Sequence, residues 1–401
     1  MKPRFPALSA LCFFLSLPAF PQAAGRPLAD PQILRLADGQ WRPDPALHVE
    51  AAYLPVLYPS SHAANLYQLR SGDILCVWFS GSWEGNSGVG IVMSRLRKGA
   101  HRWDRTVLID RRDGFSYQNP VLFQEPDGTL DLYHTEQVAN AGEANAKVLH
   151  LTSRDNGYTW SQPEVLFDQP GSFTRHPMVV LPDGTWILPM DIVNSAGIGK
   201  GAENNYSVTQ LSSNRGKTWK ECKMAGSQGM VQPTVVLFAS GHLLAYLRSR
   251  ASDFIWRSTS ADGCQWTPAA PSQLPNNNAS VQLFRLQDGH LVLAFDNSRN
   301  LRKPLSIALS DDDGQTWPWV RDLETGRPGF GKQEQTPKVP GREEYSYPTV
   351  MQSHDGTIYV AYTFRRQTIK VVAFHEDWIR RGSSVGLVHG RSQITAVRDP
   401  K

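Results

Sequence analysis

Cysteine is scarce in this chain, with four among 401 residues. Cys12 falls in an N-terminal segment expected to be removed, which leaves Cys76, Cys222 and Cys264. So small and odd a set excludes a disulfide-stapled scaffold, and no cysteine and histidine spacing matches a zinc site. One bridge at most can form. Cys222 and Cys264 stand at corresponding edges of neighbouring repeats, but their separation is not readable from sequence. An excess of one charge is also missing: the formal charge of +4 falls by the two of Lys2 and Arg4 to +2 on processing. Acids and bases are interspersed, so nothing marks a nucleic acid as partner. Apolar runs of spanning length are absent as well. The first residues, MKPRFPALSALCFFLSLPAFPQAAG, place Lys2 and Arg4 before a short apolar run and then small residues, the order of a secretory signal. Residues 1–24 are therefore expected to leave, and 25–401 to form one periplasmic or secreted domain without a membrane span.

What the chain has is repetition. SRDNGYTW at 153 to 160 returns as SSNRGKTW at 212 to 219 and SDDDGQTW at 310 to 317. Around each phrase runs a longer pattern of an apolar run, a turn with glycine and a second apolar run, as in PVLFQEPDGTLDLYH and VQLFRLQDGHLVLAF. Each reads as a hairpin whose glycine supplies positive φ. The turn glycines are Gly72, Gly128, Gly184, Gly241, Gly289 and Gly356, spaced by subtraction 56, 56, 57, 48 and 67 residues apart. That period fits a four-stranded sheet, and six of them make an all-β, six-bladed propeller. Its last blade is expected to join strands after Glu344 to the N-terminal part of the mature chain. No amphipathic segment of helix length competes, and the Pro- and Gly-rich stretch from Leu323 to Gly341 reads as a surface loop.

Within the phrase, Ser153 and Asp155 can bond amides of their own turn, Gly157 can be left-handed and Trp160 can fill the gap beside the next strand. Asp155 and Asp312 therefore read as turn acids, not catalysts or calcium ligands. TSADGCQW at 259 to 266 keeps glycine and tryptophan but reads with Ala261 where the acid falls. Trp103, Trp160, Trp219, Trp266 and Trp317 mark one place in five repeats, and Trp378 stands for the sixth.

A propeller gathers equivalent positions around one axis. Nine residues before each glycine stand Ala63, Asn119, Arg175, Gln232, Ser280 and Tyr347; seven after stand Phe79, Thr135, Asp191, Arg248, Asp296 and Thr363. Near them fall His62, Glu84, His176, Asn297, Arg302 and Arg365. A rim of guanidinium, amide and phenol groups suits an acidic, hydroxyl-rich ligand, because guanidinium forks bind carboxylate bidentately.

The phrase S-x-D-x-G-x-T-W resembles the Asp-box of the sialidase superfamily. VQPTVVLFASGHLLAYLRS, SIALSDDDGQTW and EEYSYPTVMQSHDGTIYVAYTFRR look like the BNR-repeat proteins often called predicted neuraminidases, and the likeness runs from about His62 to Phe374. The resemblance implies a propeller that removes a terminal acidic sugar with retention. It would use a tyrosine nucleophile assisted by a glutamate, an aspartic acid as proton donor and three arginines on the carboxylate. Tyr345, in YSYP, matches the nucleophile's setting; Arg248 matches the second arginine and Arg302, or else Arg299, the third. Three positions depart. Asn119 before Pro120 stands for the aspartic acid, Gln232 before Pro233 for the glutamate, and His62, Ala63 and Ala64 for the first arginine motif.

An amide cannot give or take a proton as a carboxyl group does, a service commonly worth about 10²- to 10⁴-fold. Glu84 is the expected replacement acid: beside Trp83 and away from a cation, its carboxyl would hold a proton more readily. His62 is expected to act as a switchable base or cation. Asn119, Arg175, His176, Gln232, Arg248, Asn297, Arg302, Tyr347 and Arg365 are expected to bind the sugar, with Tyr345, Glu84 and His62 doing the chemistry. No metal or organic cofactor is called for, the partner is an acidic glycan, and a monomer is expected. Two other readings stand beside the exo-glycoside hydrolase. In a polysaccharide lyase, Asn119 and Gln232 would neutralise a uronate while His62 or Tyr345 took its proton. In a glycan-binding module, the arginine rim would remain without catalysis.

Overall fold

The turn glycines do mark hairpins, and the hairpins build six antiparallel sheets in a computed structural model that describes residues 31–195, 201–326 and 343–381. The expected signal and residues 327–341 of the expected loop lie outside the described residues. The strand Trp319–Glu324 occupies the beginning of that stretch. Five blades follow chain order; the first is Ser60–Gln68, Ile74–Gly81, Gly90–Leu96 and Val107–Asp110. In blade three the inner strand is split into Ser172–Thr174 and Val179–Val180. Ring closure occurs as expected: Val49–Tyr53 pairs antiparallel with Thr368–Phe374 and completes blade six.

Blades pack face to face, which decides what each strand can carry. All eight residues of Ile74–Gly81 are buried, so a second strand is apolar on both sides instead of alternating. The third strand of blade four, Phe254–Ser260, instead mixes buried and half-buried residues. The core is thus a ring of seams, for example Leu75, Val77 and Phe79 of blade one against Leu122 and Leu132 of blade two. No helix among the described residues is long and apolar enough to cross a membrane.

The repeated phrase closes hairpins. Asp155 accepts the amides of Tyr158 and Thr159 and the Thr159 hydroxyl, while Ser153 Oγ accepts the Gly157 amide. Those bonds hold the Asp155 carboxyl down at about 2, the Thr159 hydroxyl first among them. Asn214 does the same work in blade three without charge. In blade four the acid is present after all: Asp262, not Ala261, caps the Cys264 and Gln265 amides, because this copy is one residue shorter between acid and glycine. Trp378 is no sixth copy. It lies on the short helix Glu376–Arg380 and donates to the Leu47 carbonyl across the ring closure.

Cys222 and Cys264 form a disulfide with Cα atoms 4.9 Å apart, tying the outer strand of blade three to the turn of blade four. Cys76 is a buried thiol, and burial raises its pKa.

Candidate active site

The inner strands arrive at the axis in an unusual backbone state. Ala63, Asn119, Gln232 and Tyr347, equivalent in four blades, have φ of 59°, 49°, 51° and 53°, and each sits where its strand pairing shifts register. Left-handed backbone at a residue other than glycine costs roughly 1–3 kcal/mol and collects at functional sites. Prolines follow three of the four, so the bulge falls where no ladder amide is available. The bulges free carbonyls from the sheet and turn side chains toward one point.

Arg175 crosses that point. Its guanidinium donates to the carbonyls of Ala64, Tyr347 and Pro348 and to Ser280 Oγ, at 2.9 to 3.1 Å. His176 shares Ser280 Oγ at 3.2 Å, and burial, then Arg175, holds its imidazole well below the usual range.

Tyr347 lies at the centre. Arg248 Nη1 donates to its hydroxyl and, at 3.0 Å, to Gln232 Oε1, while Arg248 Nε donates to Asn278 Oδ1 at 2.8 Å. The guanidinium carbons of Arg302, Arg175 and Arg248 lie 5.2, 5.3 and 5.5 Å from the centre of the Tyr347 ring. Burial lowers Arg248 to about 10, which leaves it charged at neutral pH. His62, wholly buried, packs its ring 4.1 Å from that of Tyr347, with Nδ1 2.7 Å from Thr363 Oγ1 and Nε2 without a hydrogen-bond partner.

A ladder of charge flanks this centre. Glu344 Oε1 accepts from Arg302 Nη1 at 2.6 Å and Arg366 Nε at 3.0 Å, and Arg366 Nη1 reaches Glu84 at 2.6 Å. Arg366 arrives on a turn in which it and Arg365 both have positive φ, held by the Arg365 amide on the Glu344 carbonyl. On the second strands of blades three and five lie two buried acids. Asp191 accepts the Gln232 amide at 3.1 Å, and burial pushes its carboxyl up to about 7 against Arg250 and Arg248. Burial likewise pushes Asp296 well up, against Arg302.

Residues 72–360 match the BNR repeat-like domain. The chain belongs to this family. A sialidase of Micromonospora viridifaciens is 26% identical over 313 residues, which are 67% of this chain and 47% of that protein, so the chain spans about half of its relative's length. Among solved structures, the Hadza microbial sialidase Hz136 superposes with a TM-score of 0.66 at 16% identity, covering 80% of this chain and 67% of that one. The intramolecular trans-sialidase of Ruminococcus gnavus gives 0.64 at 14%, covering 81% and 96%. The fold is the sialidase-like six-bladed propeller.

For a BNR repeat protein the pole is the expected site, and several assignments change there. Tyr345 packs in the seam between blades five and six, 5.2 Å from the Phe364 ring, and Tyr347, two residues on, lies among the arginines. Arg175 spends its guanidinium on Ser280 and on the ring's own carbonyls, as a structural bolt would. Glu84 is not apart from cations, because Arg366 comes to it from 282 residues along the chain. His62 is neutral at rest, because burial first and then Arg366 hold its imidazole well below the usual range. Arg365 is half-buried at the turn, and Arg366 beside it is buried and bonds Glu344 and Glu84. Gln232, Arg248, Arg302 and Tyr347 do converge. Asn119 sits at the matching bulge of blade two, its carbonyl accepting the Thr174 hydroxyl, and Asn297 follows Asp296 with its buried amide unpartnered. Sequence reasoning missed Glu344 and Asn278; the pair of acids just before YSYP was the available signal for the first.

A cavity of about 400 Å³ lies elsewhere, between the outer edges of blades one and two, lined by Arg95, Val107, Leu108, Tyr158 and Trp160. It holds no convergent set of reactive groups, so the chemistry is assigned to the pole, whose partly open side chains are Arg302, Glu84 and Glu143.

Proposed function

We propose that this BNR repeat protein is an exported exo-glycoside hydrolase that removes a terminal acidic sugar, of the sialic acid type, from a glycan. The observation that carries the reading is the Tyr347 hydroxyl bonded to Arg248 with three guanidinium groups around its ring. Arg248, Arg302 and Arg366 would draw the sugar carboxylate to the pole, the work for which guanidinium forks are suited. Arg366 would stand in for the arginine that His62, Ala63 and Ala64 lack. Tyr347 would attack the anomeric carbon as nucleophile. Its phenolic proton would pass to His62, a neutral imidazole packed against the Tyr347 ring with Nε2 unpartnered. The likeness to a Micromonospora sialidase supports the substrate class, and the disulfide supports export to an oxidising compartment.

The test is incubation with sialylated and uronate-bearing glycans, with released sugars read by mass. Tyr347→Phe is expected to lose at least about 100-fold in turnover, the scale of a lost reacting group, while Tyr345→Phe stays within a few-fold of wild type. Full activity of Tyr347→Phe would sink the nucleophile assignment. An unsaturated product would mean elimination, and heat of binding without release would mean a binding module.

A further inference from the structure

The two inner-ring positions that carry carboxyl groups in the resemblance are amides here, Asn119 and Gln232. One ring outward, seven residues after the turn glycines, a structural job recurs. Thr363 Oγ1 accepts the Ala63 amide at 3.3 Å, Thr135 Oγ1 accepts the Thr174 amide at 3.2 Å, and Asp191 Oδ1 accepts the Gln232 amide at 3.1 Å. In each case a second strand latches onto the inner strand of the next blade. Threonine performs the latch with a neutral hydroxyl. Blade three performs it with a carboxyl only 2% exposed, a far costlier group to bury. A carboxyl retained where a hydroxyl suffices calls for a second role.

Its surroundings supply one. Gln232, whose amide it holds, is also the residue whose Oε1 accepts from Arg248, and Arg248 bonds the Tyr347 hydroxyl. The charged groups around Asp191 are Arg248 from the second strand of blade four, Arg250 just past the end of that strand, and Glu143 from a short turn in blade two. Arg250 and Glu143 pair at 3.0 Å and so offset one another. Burial then dominates and leaves the acid poised near neutral pH.

We infer that Asp191 is the proton donor of the pole reaction, carrying the function that Asn119 and Gln232 cannot. The inference rests on the hydrolase reading above. As the bond from the anomeric carbon to the leaving oxygen breaks, its electron pair stays on that oxygen, which takes the Asp191 proton and departs as an alcohol. The sugar is captured by Tyr347. Water then attacks the anomeric carbon, returns one proton to the Asp191 carboxylate and frees Tyr347, which recovers its own from His62.

The experiment compares two substrates with the same acidic sugar. One leaves as an activated phenolate that needs no proton, the other as a sugar alcohol that does. Asp191→Thr reproduces the latch of the other blades, and Asp191→Asn keeps the shape; thermal melting verifies that each is folded. On the sugar-alcohol substrate both variants are expected to lose about 100-fold or more in kcat/KM. On the phenol substrate they stay within a few-fold of wild type, and the fall in wild-type rate as pH rises through about 7 disappears. Equal losses on both substrates, or a Thr variant as active as wild type on the sugar-alcohol substrate, overturn the inference while leaving the hydrolase reading intact. A wild type silent on both substrates overturns the hydrolase reading and this inference with it.

Discussion

At Asp191 one buried oxygen pair links stability to pH in a way that can be measured without any substrate. Its folded pKa, about 7, lies above the unfolded value near 3.9, so between those limits the folded chain holds a proton that the unfolded chain has lost. Stability from this group is therefore fully present below about pH 4, declines as pH rises to about 7, and is flat beyond. At about 1.4 kcal/mol per pH unit the decline amounts to roughly 3–4 kcal/mol. Asp191→Asn is expected to reduce that slope in urea titrations at pH 5 and 8, leaving the decline due to Asp296, whose pKa moves in the same direction. An unchanged slope would mean that the carboxyl is ionised throughout.

The Asp-box is an element with one job, and its copies measure how much chemistry the job needs. Asp155 and Asp312 use a carboxylate, Asn214 an amide, and Asp262 a carboxylate in a shortened turn, all accepting the amides that follow. Charge is thus dispensable while the acceptor is not. Asp155→Ala is expected to cost about 1–2 kcal/mol, the scale of lost capping bonds, and Asp155→Asn under about 1 kcal/mol. Chemical denaturation of the two variants checks this; equal losses would place the effect in the charge. The bulged inner strand is the opposite kind of element. Its left-handed Asn119, Gln232 and Tyr347 spend stability at the axis, where their side chains are presented to the pole.

Across the whole molecule the ring is fastened by the N-terminal strand and by Arg175. The strand closes blade six at the circumference, and Arg175 satisfies carbonyls of blades one and six at the axis. Arg175→Ala would strand those carbonyls in a buried place. We expect a loss of roughly 3–5 kcal/mol and a lower melting temperature, with any loss of turnover following unfolding. A variant that melts like wild type yet has lost sugar binding would return Arg175 to the ligand set.

The sequence by itself determined the propeller, because blade period, turn glycines and Asp-box are local patterns repeated often enough to count. It also determined which residues meet, since a rotational axis carries Gln232, Arg248 and Tyr347 to one pole whatever their separation along the chain. The tertiary structure alone decided what each of them faces. Tyr345 and Tyr347 differ by two places in one strand, yet a bulge turns one into a seam and the other onto Arg248. Arg366 meets Glu84 and Glu344 only through a turn with two left-handed arginines, a conformation that sequence ordinarily announces with Asn-Gly. Register within a strand is fixed by backbone hydrogen bonds and packing with neighbours distant in the chain, and those belong to the assembled ring.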